Sequence, residues 1–239
     1  MDHPAADRVA YQQPRYGQPG GQAPGEVAWV ATLLEAEHRS ADLGNRPDPV
    51  EELVWIPLTR QTHRQNATRS WQRVLDLGGP EALLEMPEGE LAALLADAGF
   101  SRQKARWIKR SLELVRERFG ALSLAETTSW SDAEVEAFLT TLPGIAVTSA
   151  KCVMMYSLGR QVLPVDTHLR RLSERVGWVP EGLSERRIHA ALEALVPAEL
   201  RLGLHVNAIW HGRSVCRAIR PRCEVCELRR GCQRGVNEA

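Results

Sequence analysis

From Val27 onward, apolar residues recur every three or four positions in one segment after another. These segments are VAWVATLLEAEH, PVEELVWIPLTRQT, ATRSWQRVLDLG, GELAALLADAG, KARWIKRSLELVRERFG, DAEVEAFLTTL, SAKCVMMYSLG, HLRRLSERVG, ERRIHAALEALV and ELRLGLHVNAIWHG. That period places the apolar side chains on one face of a helix, so the pattern predicts an all-α chain. Gly99, Gly120, Gly159 and Gly177 fall where helix C-caps belong, and Ser131 with Glu134 spells a capping box ahead of an apolar run. Only a few residues around VLPVD hint at a strand, and no repeat of about 20–50 residues marks a solenoid. Before Val27 the stretch through GQPGGQAPGE has almost no apolar content and cannot offset the entropy of ordering, so residues 1–25 read as a disordered tail.

Composition adds bounds to this picture. A chain of 239 residues can bury a full core and is long enough for two lobes. Lys+Arg and Asp+Glu both number 30, so attraction to nucleic acid must come from the placement of charge. The placement is uneven: between Arg201 and Gly235 the acids are Glu224 and Glu227, set against Arg201, Arg213, Arg217, Arg220, Arg222, Arg229, Arg230 and Arg234. No apolar run approaches the roughly 20 residues that span a bilayer, and no charged-then-apolar signal opens the chain, so a cytoplasmic protein without a membrane partner is expected.

Chemistry concentrates in three places. Cys216, Cys223, Cys226 and Cys232, in CRAIRPRCEVCELRRGC, give the spacing C-x6-C-x2-C-x5-C. Four thiolates so close suit zinc or an iron-sulfur cluster; zinc sites more often pair two short C-x2-C knuckles and only one is present, which favours [4Fe-4S] and keeps zinc as the alternative. Cys152, alone on an apolar helix face, reads as a core residue. In LPGIA, Pro143 and Gly144 end one helix near Thr141 and another starts near Val147. Such a hairpin can aim backbone N–H groups and a helix N-terminus at phosphate, or it can be a plain helix-helix turn. Asp166, in VLPVDTHLRRL, sits where an N-cap belongs; the same position keeps a carboxylate ionised, able to stabilise a sugar that gains positive charge.

Taken together, hairpin, aspartate and cysteine spacing resemble the helix-hairpin-helix DNA glycosylase superfamily, and the order of elements is similar to endonuclease III, over roughly Val27 to the C-terminus. The resemblance implies a two-lobed all-α fold, with a six-helix domain over 45–160 and an iron-sulfur cluster domain made of 26–44 and 161–239. It implies that Leu142, Pro143, Gly144, Ile145 and Ala146 grip DNA, that Asp166 is the catalytic aspartate, and that the four cysteines hold a [4Fe-4S] cluster. Two weaker correspondences make Gln61, in IPLTRQTHRQN, the residue that fills the hole left by a flipped base, and Phe100, in AGFSRQKA, an apolar wedge. The implied partner is double-stranded DNA carrying damaged or mismatched bases, bound by a monomer.

Departures from the family pattern bear on the chemistry. Thr148 stands where bifunctional members carry a lysine that forms a Schiff base with the sugar, and threonine cannot form that imine. The simplest expectation is a monofunctional glycosylase whose aspartate activates water. Lys151, one turn on, is the alternative nucleophile, giving AP lyase activity; if it is not one, a solvated or phosphate-contacting lysine is expected. Ala146 replaces the hairpin's second glycine, which would cost about 1 kcal/mol if that position needs a positive φ. Pro57 should kink the helix presenting Gln61. Together these departures keep open a DNA-binding relative with weak or no catalysis. The chain ends soon after the cysteines, which argues against adenine opposite oxidised guanine as substrate.

Overall fold

The computed structural model describes residues 25–237; apart from Gly25, the tail expected over residues 1–25 lies outside them. The described residues form α-helices and short 3-10 turns with no strand, and the stretch leading through VLPVD is extended but unpaired. In order the helices are α1 (Val27–His38), α2 (Pro49–Thr59), α3 (Arg64–Asp76), α4 (Pro80–Glu85), α5 (Glu88–Leu94), α6 (Ser101–Phe119), α7 (Asp132–Leu139), α8 (Val147–Tyr156), α9 (Thr167–Val176), α10 (Glu185–Leu195), α11 (Arg201–Ser214) and α12 (Gln233–Asn237). The chain divides into two compact units, one joining the segment up to Leu43 to that from Gln161 onward, the other running from Gly44 to Arg160.

In the second unit, α2 packs against α3, α6 and α8. Asp48 caps it, its Oδ1 accepting from the Val50 and Glu51 amides at 2.8 and 3.0 Å, and Pro49 follows at the first helical position, where its missing N–H costs nothing. Val50 and every residue from Glu52 to Leu58 are buried, so α2 is a central helix rather than an amphipathic surface one. Pro57 does not end it: the helix runs on to Thr59, although the proline has no N–H to give the Leu53 carbonyl. The capping box forms as expected, with the Glu134 amide bonded to Ser131 Oγ and the Ser131 amide to Glu134 Oε2. Of the four expected C-cap glycines, Gly120 and Gly177 cap α6 and α9 in the left-handed region; Gly99 closes a 3-10 turn and Gly159 lies beyond the end of α8.

The first unit is built on α1, α9 and α11, with α11 against both others. Val30 and Leu34 of α1, Leu169 and Leu172 of α9, Leu192 of α10 and Leu204 of α11 share one apolar core. Leu228, from between the cysteines, is buried in that core with Cys226 and Cys232 partly buried beside it. The loop therefore has an apolar anchor that its polar composition hides. Cys152, expected in the core, is only half-buried on α8.

Candidate nucleic-acid interface and catalytic aspartate

The hairpin is shaped by one aromatic ring. Helix α7 ends at Leu139, the Ile145 amide bonds back to the Leu142 carbonyl at 3.1 Å, and Gly144 takes φ 79°. The Trp107 ring lies against Gly144 so closely that a Cβ there would meet Cδ2 at 2.7 Å, so glycine is required both by its dihedral and by space. Ser111 Oγ donates to the Pro143 carbonyl at 3.3 Å and Arg60 Nη1 to the Gly144 carbonyl at 2.9 Å. Leu142 and Ile145 are buried and anchor the turn, while Pro143 and Gly144 are half-buried and Ala146 is exposed. Ala146 has φ −91° as the N-cap of α8, so the expected cost of alanine at a positive φ does not arise. No side chain caps α8, which leaves its first turn to find partners elsewhere.

Lys151 corrects an expectation. Instead of being solvated or turned to phosphate, its side chain is 6% exposed and its Nζ pairs with Glu136 Oε2 of α7 at 3.2 Å. Thr148 sits half-buried in the first turn of the same helix.

Gln61 and Phe100 share an unusual backbone. Gln61 is not on the Pro57-containing helix; it lies in the turn beyond Thr59 with φ 51°, and Phe100 precedes α6 with φ 47° and is 64% exposed. Such dihedrals cost a non-glycine residue about 1–3 kcal/mol and persist only where surrounding bonds over-determine them. Here the constraint is Lys104, which the sequence reading did not single out. Its buried Nζ donates at 2.7 Å to the Arg60 carbonyl, to Thr62 Oγ1 and to the Ala98 carbonyl, so one ammonium ties the turn bearing Gln61 to the turn bearing Phe100. Burial, with the Arg60 charge second, pushes its pKa down to about 8. The available signal was register: Lys104 falls on the same stripe of α6 as Ala105, Ile108, Leu112 and Val115.

In the other unit, Asp166 caps α9. Its Oδ1 accepts from the His168 and Leu169 amides at 3.0 and 2.9 Å, and Oδ2 has no hydrogen bond from the described residues. The extended stretch before it is held from behind. The Leu163 amide donates to Glu193 Oε1 at 2.9 Å and the Val165 amide to His189 Nε2 at 3.2 Å, while His189 Nδ1 lies 2.9 Å from the Glu185 carbonyl, which sets its tautomer. His205, fully buried on α11, bonds to the Pro164 carbonyl; burial lowers its pKa, and the nearby Asp166 charge opposes that shift in part. His168 is lowered by the same cause and fits against α11 because residue 212 is glycine: a Cβ there would lie 2.3 Å from His168 Nδ1.

All four motif cysteines border one pocket, together with Arg175, His211 and Leu172. Arg175 of α9 donates to Cys216 Sγ at 3.2 Å and to the Arg217 carbonyl at 2.8 Å, and Cys232 Sγ donates to the Arg175 carbonyl at 3.2 Å. His211 Nε2 lies 3.5 Å from Cys226 Sγ, whose thiol is pushed up to about 12, mainly by burial. The arginines of the loop divide. Arg213, Arg217, Arg220, Arg222, Arg229, Arg230 and Arg234 are exposed, whereas Arg201 turns inward to the carbonyls of Val196, Gln161 and Glu193.

The family model for the HhH-GPD superfamily of base excision DNA repair proteins matches residues 54–198. The chain belongs to that superfamily. Its relatives there include endonuclease III proteins. That of Synechocystis is 33% identical over 77% of this chain and 80% of its own length, and that of Thermotoga maritima 28% identical over 78% and 83%. Among solved structures, a non-covalent endonuclease III–DNA complex superposes with a TM-score of 0.78 at 23% identity, covering 91% of this chain and 98% of that one. A thermostable thymine-DNA glycosylase gives 0.70 at 20% identity, over 87% and 94%. This chain is an endonuclease III-like member, with the all-helical fold of that group.

Proposed function

We propose that this chain is a base-excision DNA glycosylase that takes a damaged or mismatched base out of double-stranded DNA and cleaves its N-glycosidic bond by hydrolysis. The observation that carries the reading is Asp166, fixed through Oδ1 by two amides at the start of α9 while Oδ2 remains open. A carboxylate so held at the positive end of the helix can both orient a water and stabilise the oxocarbenium-like sugar. Hydrolysis rather than β-elimination is supported by Thr148, which offers no amine, and by Lys151, whose buried Nζ is held against Glu136.

On the DNA side, the Leu142–Ala146 hairpin and the uncapped start of α8 suit backbone contacts to phosphate. Gln61 and Phe100, exposed on strained turns, suit insertion where a base has left the stack. The exposed loop arginines would add a salt-dependent contact.

Cys216, Cys223, Cys226 and Cys232 would hold a [4Fe-4S] cluster. All four cysteines line one pocket, and their single C-x2-C knuckle favours the cluster over zinc. When bound, the cluster supplies a four-way cross-link that fixes the loop. Four irons per chain, lost in Cys223→Ala, are expected; zinc lost with Cys223 would assign a zinc site instead.

The test uses duplexes carrying an oxidised pyrimidine, a mismatched uracil or an abasic site, assayed for strand breaks with and without alkali. Breaks only after alkali, absent in Asp166→Asn at unchanged DNA affinity, are expected. Base release by Asp166→Asn at the wild-type rate would remove Asp166 from the mechanism. Alkali-independent breaks with a borohydride-trapped adduct would replace hydrolysis by amine chemistry.

A further inference from the structure

On a helix, positions i and i+1 do not face one another. Yet Glu37 and His38, the last two residues of α1, both reach the same point on α11: Glu37 Oε2 lies 3.3 Å from His38 Nε2 and 3.3 Å from His211 Nδ1, and the two ring nitrogens are 3.5 Å apart. Hydrogen bonds of this kind centre on about 2.9–3.0 Å, so three contacts all this long are weak as a hydrogen-bonded cluster. They match one face of a coordination tetrahedron. Metal–ligand bonds of about 2.0–2.2 Å place neighbouring ligand atoms about 3.3–3.6 Å apart.

We propose that Glu37, His38 and His211 form a site for a divalent transition metal of the zinc type, adjoining the cysteine pocket through the His211 ring. Two imidazoles and a carboxylate satisfy its preference, and the fourth position opens to solvent on the side of Glu37, whose side chain is 29% exposed, so water completes the shell. The chain prepares this geometry. Beyond His38, Arg39 and Ser40 take left-handed dihedrals, and Asn207 of α11 accepts from the Ser40 amide at 2.9 Å and donates to Glu35 at 2.7 Å, pinning the end of α1 to α11. Glu227 faces Glu37 and adds negative charge, while Arg171 faces His211 and opposes it. On its outer side His211 Nε2 lies beside Cys226 Sγ, so a metal at Nδ1 directs the ring's N–H to that sulfur, as the outer partners of metal-bound histidines do. The metal would add a cross-link between α1 and α11 beside the Asn207–Glu35 hydrogen bond.

The experiment titrates cobalt(II) into the full chain with its iron quantified and retained. One cobalt per chain is expected, with the visible bands of nitrogen and oxygen ligation, no thiolate charge-transfer band, and a raised unfolding temperature. His38→Ala should weaken binding by more than the roughly 10–100-fold that loss of an outer-shell partner costs, and Glu37→Gln, an exposed position that leaves the fold intact, by at least about tenfold. Absence of binding, unchanged affinity in both variants, or a thiolate band on the bound cobalt would each overturn the proposal. The iron measurement is independent, so failure here is distinguishable from failure of the cluster reading.

Discussion

Replacing Lys104 with methionine probes the link between burial and the two strained turns. Methionine keeps the unbranched shape but removes every N–H, deleting the bonds that the Arg60 and Ala98 carbonyls and Thr62 Oγ1 accept from the ammonium at 2.7 Å and leaving the Thr62 hydroxyl as the remaining donor to the Ala98 carbonyl. A hydrogen bond from a charged donor is worth about 1.5–3 kcal/mol, and part of the loss of three returns because the ammonium no longer has to be desolvated; the net expected destabilisation is about 2–4 kcal/mol. The variant also changes the pH response. The folded amine titrates near 8, below its ordinary 10.5, so between those values the unfolded chain binds a proton that the folded chain does not, and wild-type stability rises with pH. Lys104→Met lacks that rise. Denaturant unfolding at pH 7 and pH 10 measures both effects, and amide exchange at Gln61 and Thr62 measures the loosening of the turn. A variant within about 0.5 kcal/mol of wild type with the same pH slope would refute the assignment of Lys104 as the tie between the turns.

Gly144→Ala forces a Cβ to within 2.7 Å of the Trp107 ring at a positive φ and should cost about 2–4 kcal/mol, lowering the unfolding temperature and weakening DNA binding together; a stable variant with unchanged affinity would remove Trp107 as the shaper of the hairpin. Asp166→Ala should lose about 1–2 kcal/mol through the uncapped start of α9, whereas Asp166→Asn keeps the cap and stays within about 0.5 kcal/mol of wild type, a contrast read by denaturation without any substrate. Glu52 is buried, accepts from Asn45 Nδ2 and from the Arg46 amide, and burial raises its pKa to about 7 from 4.5. The folded state then holds a proton the unfolded state lacks in that window, so stability falls by about 3 kcal/mol as pH rises through it; Glu52→Gln should flatten the dependence, and parallel unfolding temperatures of the two proteins at pH 5 and 7.5 would show the reasoning to be wrong.

Local information in the sequence accounts for the helices, the hairpin turn, the cap at Ser131 and the clustering of the four cysteines, because periodicity, capping and turn chemistry act over a few residues. The same information misjudged residues whose surroundings come from elsewhere in the chain. Nothing in KARWIKR sets Lys104 apart from its neighbouring cations, yet it is buried where three acceptors from two turns converge on it. Arg201 belongs to the basic C-terminal stretch but bonds to carbonyls, and Lys151, expected as an alternative nucleophile or as a solvated or phosphate-contacting lysine, is buried against Glu136. Ala146 reads as a defect, but its dihedral is ordinary. What the sequence by itself determined is which segments are helical and which residues carry thiol, carboxylate and amine chemistry. Only the tertiary structure decided which of those groups meet. His38 and His211 are 173 residues apart, and no local pattern encodes that α1 ends where α11 passes. The ionisation and reach of a side chain are set by solvent exclusion and by partners brought together through packing, and those are properties of the folded surface rather than of neighbours in the chain.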